Sequence, residues 1–186
     1  MSSYINECQS IINGIKAQGI NFIGIDFDDT LVSTHTGGRW GGTPEGLQEY
    51  IRPFFHTFVK IATEQDVKIA IVTFSSQVEL IREVMGNVFG NIVDKIPIRG
   101  RDNSWSYEGK GCKDGKQPHM ASAAEFLKTR NSIDITRKTS LLIDDDVNNV
   151  RIALDNGVRA VRFDPDDEAR SIRDLFLLFN TPTVSN

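Results

Sequence analysis

Aspartates cluster at two points of the chain, each at the end of a short apolar run. Asp26, Asp28 and Asp29 close the first run, and residues 144–146, all aspartates, follow the second. Carboxylates this close together repel one another and are costly to desolvate, so a divalent cation is the simplest group that would stabilise them. Hard oxygen ligands suit Mg²⁺, which takes a few carboxylates and leaves its other positions to water and phosphate. The two clusters therefore predict a magnesium site.

Two further residues suit the transfer of a phosphoryl group at such a site. Thr73 ends another apolar run and offers a hydroxyl donor, and Lys116 lies in a Gly-rich loop that leads into a helix. Phosphoryl transfer needs mainly positioning, in-line attack and neutralised charge. A carboxylate can act as the nucleophile and split one displacement into two. A second acid can protonate the leaving oxygen and then deprotonate a water, and Asp28 is spaced for this role two residues after Asp26.

The elements that must position these residues alternate between strands and helices. Short buried apolar runs predict five strands, over residues 20–27, 68–74, 92–98, 140–143 and 158–163. Apolar residues at helical spacing predict helices over residues 3–18, 44–64 (split or kinked at Pro53), 77–88, 118–130, 147–156 and 167–179. This alternation predicts one α/β domain over residues 1–186, with a parallel sheet covered on both faces. The chemistry of such sheets lies beyond the carboxyl ends of the strands, where all the polar residues above would face one crevice.

A Gly-rich flap follows the first strand, over residues 33–43. It contains Arg39 and Trp40 between two pairs of glycines, and His35 just before them. These side chains either close over the crevice as a lid or pack on the body of the domain. Both interpretations stay open at this point.

A second polar loop follows the third strand, over residues 99–117. It mixes basic and aromatic residues, among them Arg101 and Trp105. Such a mixture binds a phosphorylated partner or a nucleotide, or else forms a surface hairpin with one packed aromatic ring. The sequence favours neither.

Taken in order, these motifs resemble those of the haloacid dehalogenase-like (HAD) superfamily of phosphatases. The resemblance rests on Asp26-x-Asp28-x-Thr30 after the first strand, Thr73 after the second, Lys116 before a helix, and Asp144-Asp145-x-x-x-Asn149 after the fourth. It spans residues 20–163, most of the chain, and the ordered set is far more specific than any one of its parts. It implies a Rossmann-like three-layer sandwich with a central parallel sheet, a short flap after strand one and a small loop or hairpin insert after strand three.

The resemblance also implies a role for each residue of the first three motifs. Asp26 would be the nucleophile and a ligand of Mg²⁺. Asp28 would be the general acid and base, and would offer its main-chain carbonyl to the metal. Thr73 would hydrogen-bond the phosphoryl group, and Lys116 would neutralise it and steady Asp26. Lys113, in the same loop, is the alternative to Lys116.

The fourth motif would complete the metal site. Asp145 would be the third protein ligand of Mg²⁺, with Asp144 as the alternative, and Asn149 and Thr30 would have supporting roles. The acid at Asp28 favours phosphatase over dehalogenase chemistry, because the dehalogenases of the superfamily lack it.

The functional hypothesis is therefore a Mg²⁺-dependent phosphomonoester hydrolase that forms an aspartyl-phosphate. Neither connection between motifs is long enough for a large cap domain, and the resemblance is greatest to uncapped or small-capped magnesium-dependent phosphatases. The expected partner is a phosphorylated substrate, a phosphoprotein or a small molecule. The alternatives are a nucleotide or sugar phosphatase, and a phosphate- or Mg²⁺-binding module without turnover. A signalling receiver domain is excluded, because its paired acids precede the phosphorylated aspartate.

Composition excludes several other functions. The net charge of -4 argues against nucleic acid and anionic membranes as partners. No apolar run approaches the ~20 residues of a membrane span, and residues 1–12 lack the basic leader of a secretory signal. The two cysteines, Cys8 and Cys112, match no zinc or redox spacing and indicate a reducing compartment. We expect a protein of the cytoplasm or the nucleus.

Overall fold

The centre of the molecule is a five-stranded parallel sheet, in a computed structural model that describes residues 4–109 and 113–181. The strands are β1 (Phe22–Ile25), β2 (Lys68–Val72), β3 (Ile98–Arg99), β4 (Ser140–Asp144) and β5 (Arg159–Arg162), in the spatial order β3-β2-β1-β4-β5. Ile25 pairs with Ile71 on one side and with Ile143 on the other. The central strands therefore end level with one another, so the residues that follow them meet at one edge of the sheet. The predicted α/β fold is confirmed.

Seven helices cover the sheet in the described part of the chain. They are α1 (Ile5–Ala17), α2 (Pro44–Gln48), α3 (Pro53–Glu64), α4 (Val78–Phe89), α5 (Gln117–Asn131), α6 (Val147–Asp155) and α7 (Glu168–Asn180). The larger core lies between one sheet face and α1, α3, α4 and α7, and the smaller core lies between the other face and α5 and α6. None of the helices described is long and apolar enough to cross a membrane.

β1 is buried on both faces, as a central strand of a parallel sheet must be. Ile23 and Ile25 belong to the larger core, and Phe22 belongs to the smaller one. Between them, a Cβ on Gly24 would lie 3.3 Å from the side chain of Met120 on α5. The glycine lets α5 pack close to the strand, which brings the residue before the helix, Lys116, near the end of β1.

Two local features, a proline and a turn, set the bounds of elements around the sheet. Pro53 divides the predicted helix 44–64 into α2 and α3, and it occupies the first turn of α3, where its missing N–H costs no hydrogen bond. The third strand is present as predicted, but the bounds predicted for it, residues 92–98, are wrong. The segment Gly90–Lys95 is a 3₁₀ turn closed by the Ile96 N–H on the Val93 carbonyl, and β3 begins only after Pro97. Local turn hydrogen bonds therefore win over the apolar pattern here.

Candidate active site

A buried ion pair lies at the floor of a cleft beyond the strand ends. Asp26 directly follows β1, and its N–H still bonds the Ile143 carbonyl of β4 at 2.9 Å. The Lys116 ammonium donates to a carboxylate oxygen of Asp26 and to the Val72 carbonyl at 2.8 Å. Asp26 and Lys116 are only 6% and 2% exposed. Lys113, the alternative cation, is exposed to solvent and does not line the cleft.

Two further carboxylates lie close to the Asp26 carboxylate of this pair. Oxygens of Asp26, Asp144 and Asp145 all lie within 4.8 Å of one another. Asp144 is fully buried and accepts hydrogen bonds from Asn149 Nδ2 at 3.1 and 3.2 Å and from the Asp146 N–H at 2.9 Å. The set of hard oxygen donors fits Mg²⁺.

The two candidates for the third metal ligand differ in their hydrogen bonds. Asp144 is held by N–H donors and also lies 3.6 Å from the ammonium of Lys116. Asp145 is half-buried, and its carboxylate accepts a long hydrogen bond of 3.5 Å from the Thr30 hydroxyl. Among the described residues, the Asp144 carboxylate therefore has more hydrogen-bond donors than the Asp145 carboxylate.

The electrostatics of this cluster call for additional positive charge. Burial raises the pKa of the Asp26 carboxyl to about 8, because Lys116 only partly offsets the desolvation and because Asp144 and Asp145 add negative charge. Burial and the negative charge of Asp144 also raise the pKa of Asp145. A bound Mg²⁺ would stabilise the ionised form of both groups.

Asp28 faces the cleft and is held by the flap. The Thr36 hydroxyl lies 2.8 and 3.0 Å from its two carboxylate oxygens, and the Gly37 N–H donates to it at 3.0 Å. The next residue, Asp29, has a positive φ of 57° and contacts His35 at 2.9 Å. The flap is therefore folded onto the turn that carries the candidate acid and base.

Trp40 in the flap packs on the body of the domain. Its main-chain N–H and carbonyl bond the side-chain amide of Gln77 at 2.7 and 3.0 Å, and its ring makes an edge contact with Tyr50 at 5.8 Å. Arg39 is exposed and is absent from the described residues that line the cleft. Of the two interpretations of Trp40, packing on the body describes the structure.

Thr73 lies beside the ion pair at the end of β2. Its side chain is buried, and its oxygen accepts a hydrogen bond from the Ser75 N–H at 3.0 Å. Within the described residues the Thr73 hydroxyl donates no hydrogen bond. Lys116 supplies the positive charge next to it.

The loop after β3 forms another part of the cleft wall. Arg101 lines the cleft, with its guanidinium 4.0 Å from the centroid of the Phe74 ring. Trp105 packs inward, 4.7 Å from the ring of His119, and donates to the Gly100 carbonyl. No strand occurs in residues 100–109 or 113–116, so the described part of this insert is a loop and not a hairpin. The cleft has a volume of about 330 Å³.

Arg52 supports the turn that carries Asp28 and Asp29, a role that was not predicted from the sequence. It is 6% exposed, and it donates to the carbonyls of Thr30 at 3.0 Å and Asp29 at 3.2 Å. Its third contact is an ion pair of 2.7 Å with Glu168 at the start of α7. The available signal was an arginine inside the apolar segment 51–55. An arginine in that position must find partners, because a buried unpaired charge is costly.

Comparison with known proteins gives structural likeness without sequence likeness. No protein-family model matches the chain, and no curated protein matches it in sequence. Among solved structures, the HAD domain of the effector protein Lem4 from Legionella pneumophila, an inactive mutant, is similar with a TM-score of 0.53 at 15% identity, over 87% of this chain and 95% of that one. A HAD-superfamily hydrolase from Ehrlichia chaffeensis is similar with a TM-score of 0.52 at 12% identity, over 88% of this chain and 99% of that one.

A third similar structure holds a metal. It is the N-terminal part of a Bacteroides fragilis protein that contains a phosphatase domain and is complexed with Mg, with a TM-score of 0.53 at 16% identity. The alignment covers 92% of this chain but only 44% of that chain, so the present chain spans less than half of its length. Identities this low establish the architecture alone. The resemblance in the motifs is thus confirmed at the level of the fold: the chain has the fold of the haloacid dehalogenase-like superfamily.

Proposed function

We propose that the protein is a Mg²⁺-dependent phosphomonoester hydrolase in which Asp26 is the nucleophile. The observation that carries this proposal is the Asp26–Lys116 ion pair at the floor of an open cleft, with two more carboxylates within 4.8 Å. A buried carboxylate steadied by one lysine and surrounded by acids is costly as a purely structural feature. It is well suited to receive a phosphoryl group together with a metal ion.

The reaction would proceed in two displacements. An oxygen of Asp26 attacks phosphorus, the bond from phosphorus to the ester oxygen breaks, and protonated Asp28 gives its proton to the leaving alcohol. Asp28 then removes a proton from water, which attacks the aspartyl-phosphate and releases inorganic phosphate and the Asp26 carboxylate. Lys116 and the Thr73 hydroxyl hold phosphoryl oxygens during both steps. Mg²⁺, held by Asp26, the Asp28 carbonyl and Asp145, would neutralise charge on those oxygens.

The proposed substrate is an accessible phosphate, with a phosphoprotein as the leading candidate. The cleft is bordered by the flap and by the loop after β3, and neither connection is long enough for a large cap domain. Efficient cleavage of sugar phosphates with no cleavage of phosphopeptides would contradict the phosphoprotein assignment and favour a small-molecule phosphatase.

The experiment is Mg²⁺-dependent release of p-nitrophenol from p-nitrophenyl phosphate by wild type and by Asp26→Asn. Asp134→Asn is a matched control, because Asp134 is an exposed carboxylate near the amino ends of the strands. The proposal predicts activity that requires Mg²⁺, persists in the control and disappears in Asp26→Asn. Equal activity in Asp26→Asn would refute the nucleophile. A folded, Mg²⁺-binding but inactive wild type would instead indicate a binding module.

A further inference from the structure

Two residues that line the cleft carry a permanent positive charge, Lys116 and Arg101. The charge of Lys116 is already shared between Asp26 and Asp144. Arg101 has no carboxylate oxygen within 4.0 Å anywhere in residues 4–109 and 113–181, and its side chain donates no hydrogen bond within them. No carboxylate of the described residues therefore neutralises its charge, although five aspartates line the same cleft.

The backbone around Arg101 is fixed against the end of β2. The Arg101 N–H bonds the Ser75 carbonyl at 2.9 Å. A Cβ on Gly100 would lie 2.4 Å from that carbonyl and 2.5 Å from the side chain of Val78, so only glycine permits this approach. The Trp105 indole N–H closes the turn on the Gly100 carbonyl at 2.8 Å. Arg101 is thus held at the cleft although its side chain is exposed.

The guanidinium also contacts an aromatic ring. Its central carbon lies over the Phe74 ring, 4.0 Å from the ring centroid, while the Lys116 ammonium lies 4.5 Å from the same centroid. The N–H groups of a guanidinium match a carboxylate or a phosphate with two parallel hydrogen bonds. Arg101 therefore contacts the same aromatic ring as Lys116, which would hold the transferred phosphoryl group.

We infer that Arg101 binds a second anionic group on the substrate, so that the preferred substrates are phosphomonoesters whose alcohol part carries its own carboxylate or phosphate. The inference rests on the proposed function and narrows its substrate class. Five aspartates line the cleft and would repel such a group anywhere else: Asp26, Asp28, Asp144, Asp145 and Asp146. Beside Arg101 the same group meets a guanidinium that contacts Phe74 and that no carboxylate of the described residues neutralises.

The test compares two esters that differ in one charge, phenyl phosphate and para-carboxyphenyl phosphate. kcat/KM is measured for wild type, Arg101→Gln, Arg101→Lys and Arg173→Gln, the last of which removes an exposed charge from α7. We expect Arg101→Gln to lower kcat/KM for the carboxylated ester by about tenfold to a hundredfold, the range for loss of a charge-assisted hydrogen bond, and to change phenyl phosphate by less than about threefold. Arg101→Lys should recover part of the loss, and Arg173→Gln should have no selective effect.

An equal loss with both esters would overturn the inference, because Arg101 would then act on the transferred phosphoryl group. No loss with either ester would overturn it too, because Arg101 would then be a solvated surface charge. If wild type hydrolyses neither ester, the proposed function fails, and calorimetric binding of the two esters in Mg²⁺ decides the inference alone. Tighter binding of the carboxylated ester that is lost in Arg101→Gln would support it, and equal binding would refute it.

Discussion

The floor and the rim of the cleft are built in different ways. The floor consists of Asp26, Thr73, Lys116, Asp144 and Asn149, none more than 6% exposed. The rim consists of the flap 33–43 and the loop 100–109, which are largely exposed. Sheet register and burial position the floor, whereas single side-chain contacts such as Thr36 to Asp28 hold the rim. Substitutions in the floor should therefore abolish function, and those in the rim should tune it.

The largest effect is expected from Lys116→Met in the floor. The change leaves Asp26 and Asp144 buried without their cation, so activity should fall by about 10³-fold, and the free energy of unfolding by about 3 kcal/mol. p-Nitrophenyl phosphate kinetics and guanidinium chloride unfolding measure the two effects. Lys113→Met, in the exposed part of the same loop, is the matched control. If it were the variant that lost activity, the assignment of the phosphate-binding lysine would be reversed.

The second prediction concerns His119, whose ring packs against Phe74 and against Trp105 of the rim. His119 is 6% exposed, and neither ring nitrogen has a hydrogen-bond partner within residues 4–109 and 113–181. Burial, with Lys116 and Arg101 nearby, lowers the pKa of His119 from 6.5 to about 4. Between pH 6.5 and about pH 4, His119 binds a proton in the unfolded chain but stays neutral in the folded protein. Its contribution to the free energy of unfolding is therefore fully present above pH 6.5 and is lost as the pH falls towards about 4.

The expected loss across that pH window is up to about 3 kcal/mol. His119→Phe keeps a flat ring against Trp105 and Phe74 and removes the titration. The difference in the free energy of unfolding between the variant and wild type should therefore grow as the pH falls. A difference that is independent of pH would show that His119 titrates normally.

Arg52→Met should break the support that joins the floor to the rim. The carbonyls of Asp29 and Thr30 lose their guanidinium donors, so the turn that carries Asp28 should loosen. We expect kcat to fall by about tenfold to thirtyfold, as for the loss of one or two hydrogen bonds to a charged group. KM for p-nitrophenyl phosphate should change less than kcat, and a higher Mg²⁺ concentration should be needed. Unchanged kcat with reduced stability alone would make Arg52 a purely structural residue.

Thr36→Val should give the smallest effect, because it removes contacts of the exposed flap and none of the buried floor. The variant keeps the side-chain shape and the Gly37 N–H bond. It loses the hydroxyl contacts of 2.8 and 3.0 Å with Asp28 and the bond of 3.2 Å that the hydroxyl accepts from the Gly38 N–H. We expect kcat to fall by about threefold to tenfold with a nearly unchanged melting temperature, because the hydrogen bond to Asp28 is lost and the bond lost from the Gly38 N–H lies in an exposed flap. Thr34→Val is the control, and an equal effect there would mean that the flap responds to any loss of polarity.

The same contrast explains what the sequence could predict. Strand ends in a parallel sheet meet at one edge, so Asp26, Thr73 and Asp144 could be placed together from apolar runs and chain order. Pro53 divides a helix for a local reason, and this was predictable as well.

The remaining features depend on contacts between distant segments. The partners of Arg52 lie 22 to 116 residues away in sequence, and the packing of Trp40 depends on Gln77 and Tyr50. The third strand begins later than the predicted residue 92, because turn hydrogen bonds around Val93 compete with the apolar pattern. The local spacing of apolar residues in the sequence does not indicate contacts between distant segments.

The most direct test of the central claim is to trap the covalent intermediate. Asp28→Asn removes the base that would activate water, while p-nitrophenol leaves readily without a strong acid, so the aspartyl-phosphate should accumulate. The variant is mixed with p-nitrophenyl phosphate and Mg²⁺, quenched in acid and analysed by peptide mass spectrometry. The account predicts one hydroxylamine-sensitive phosphoryl group on Asp26. Turnover by a folded protein that carries no phosphoryl group, or one that carries it on another residue, would contradict it.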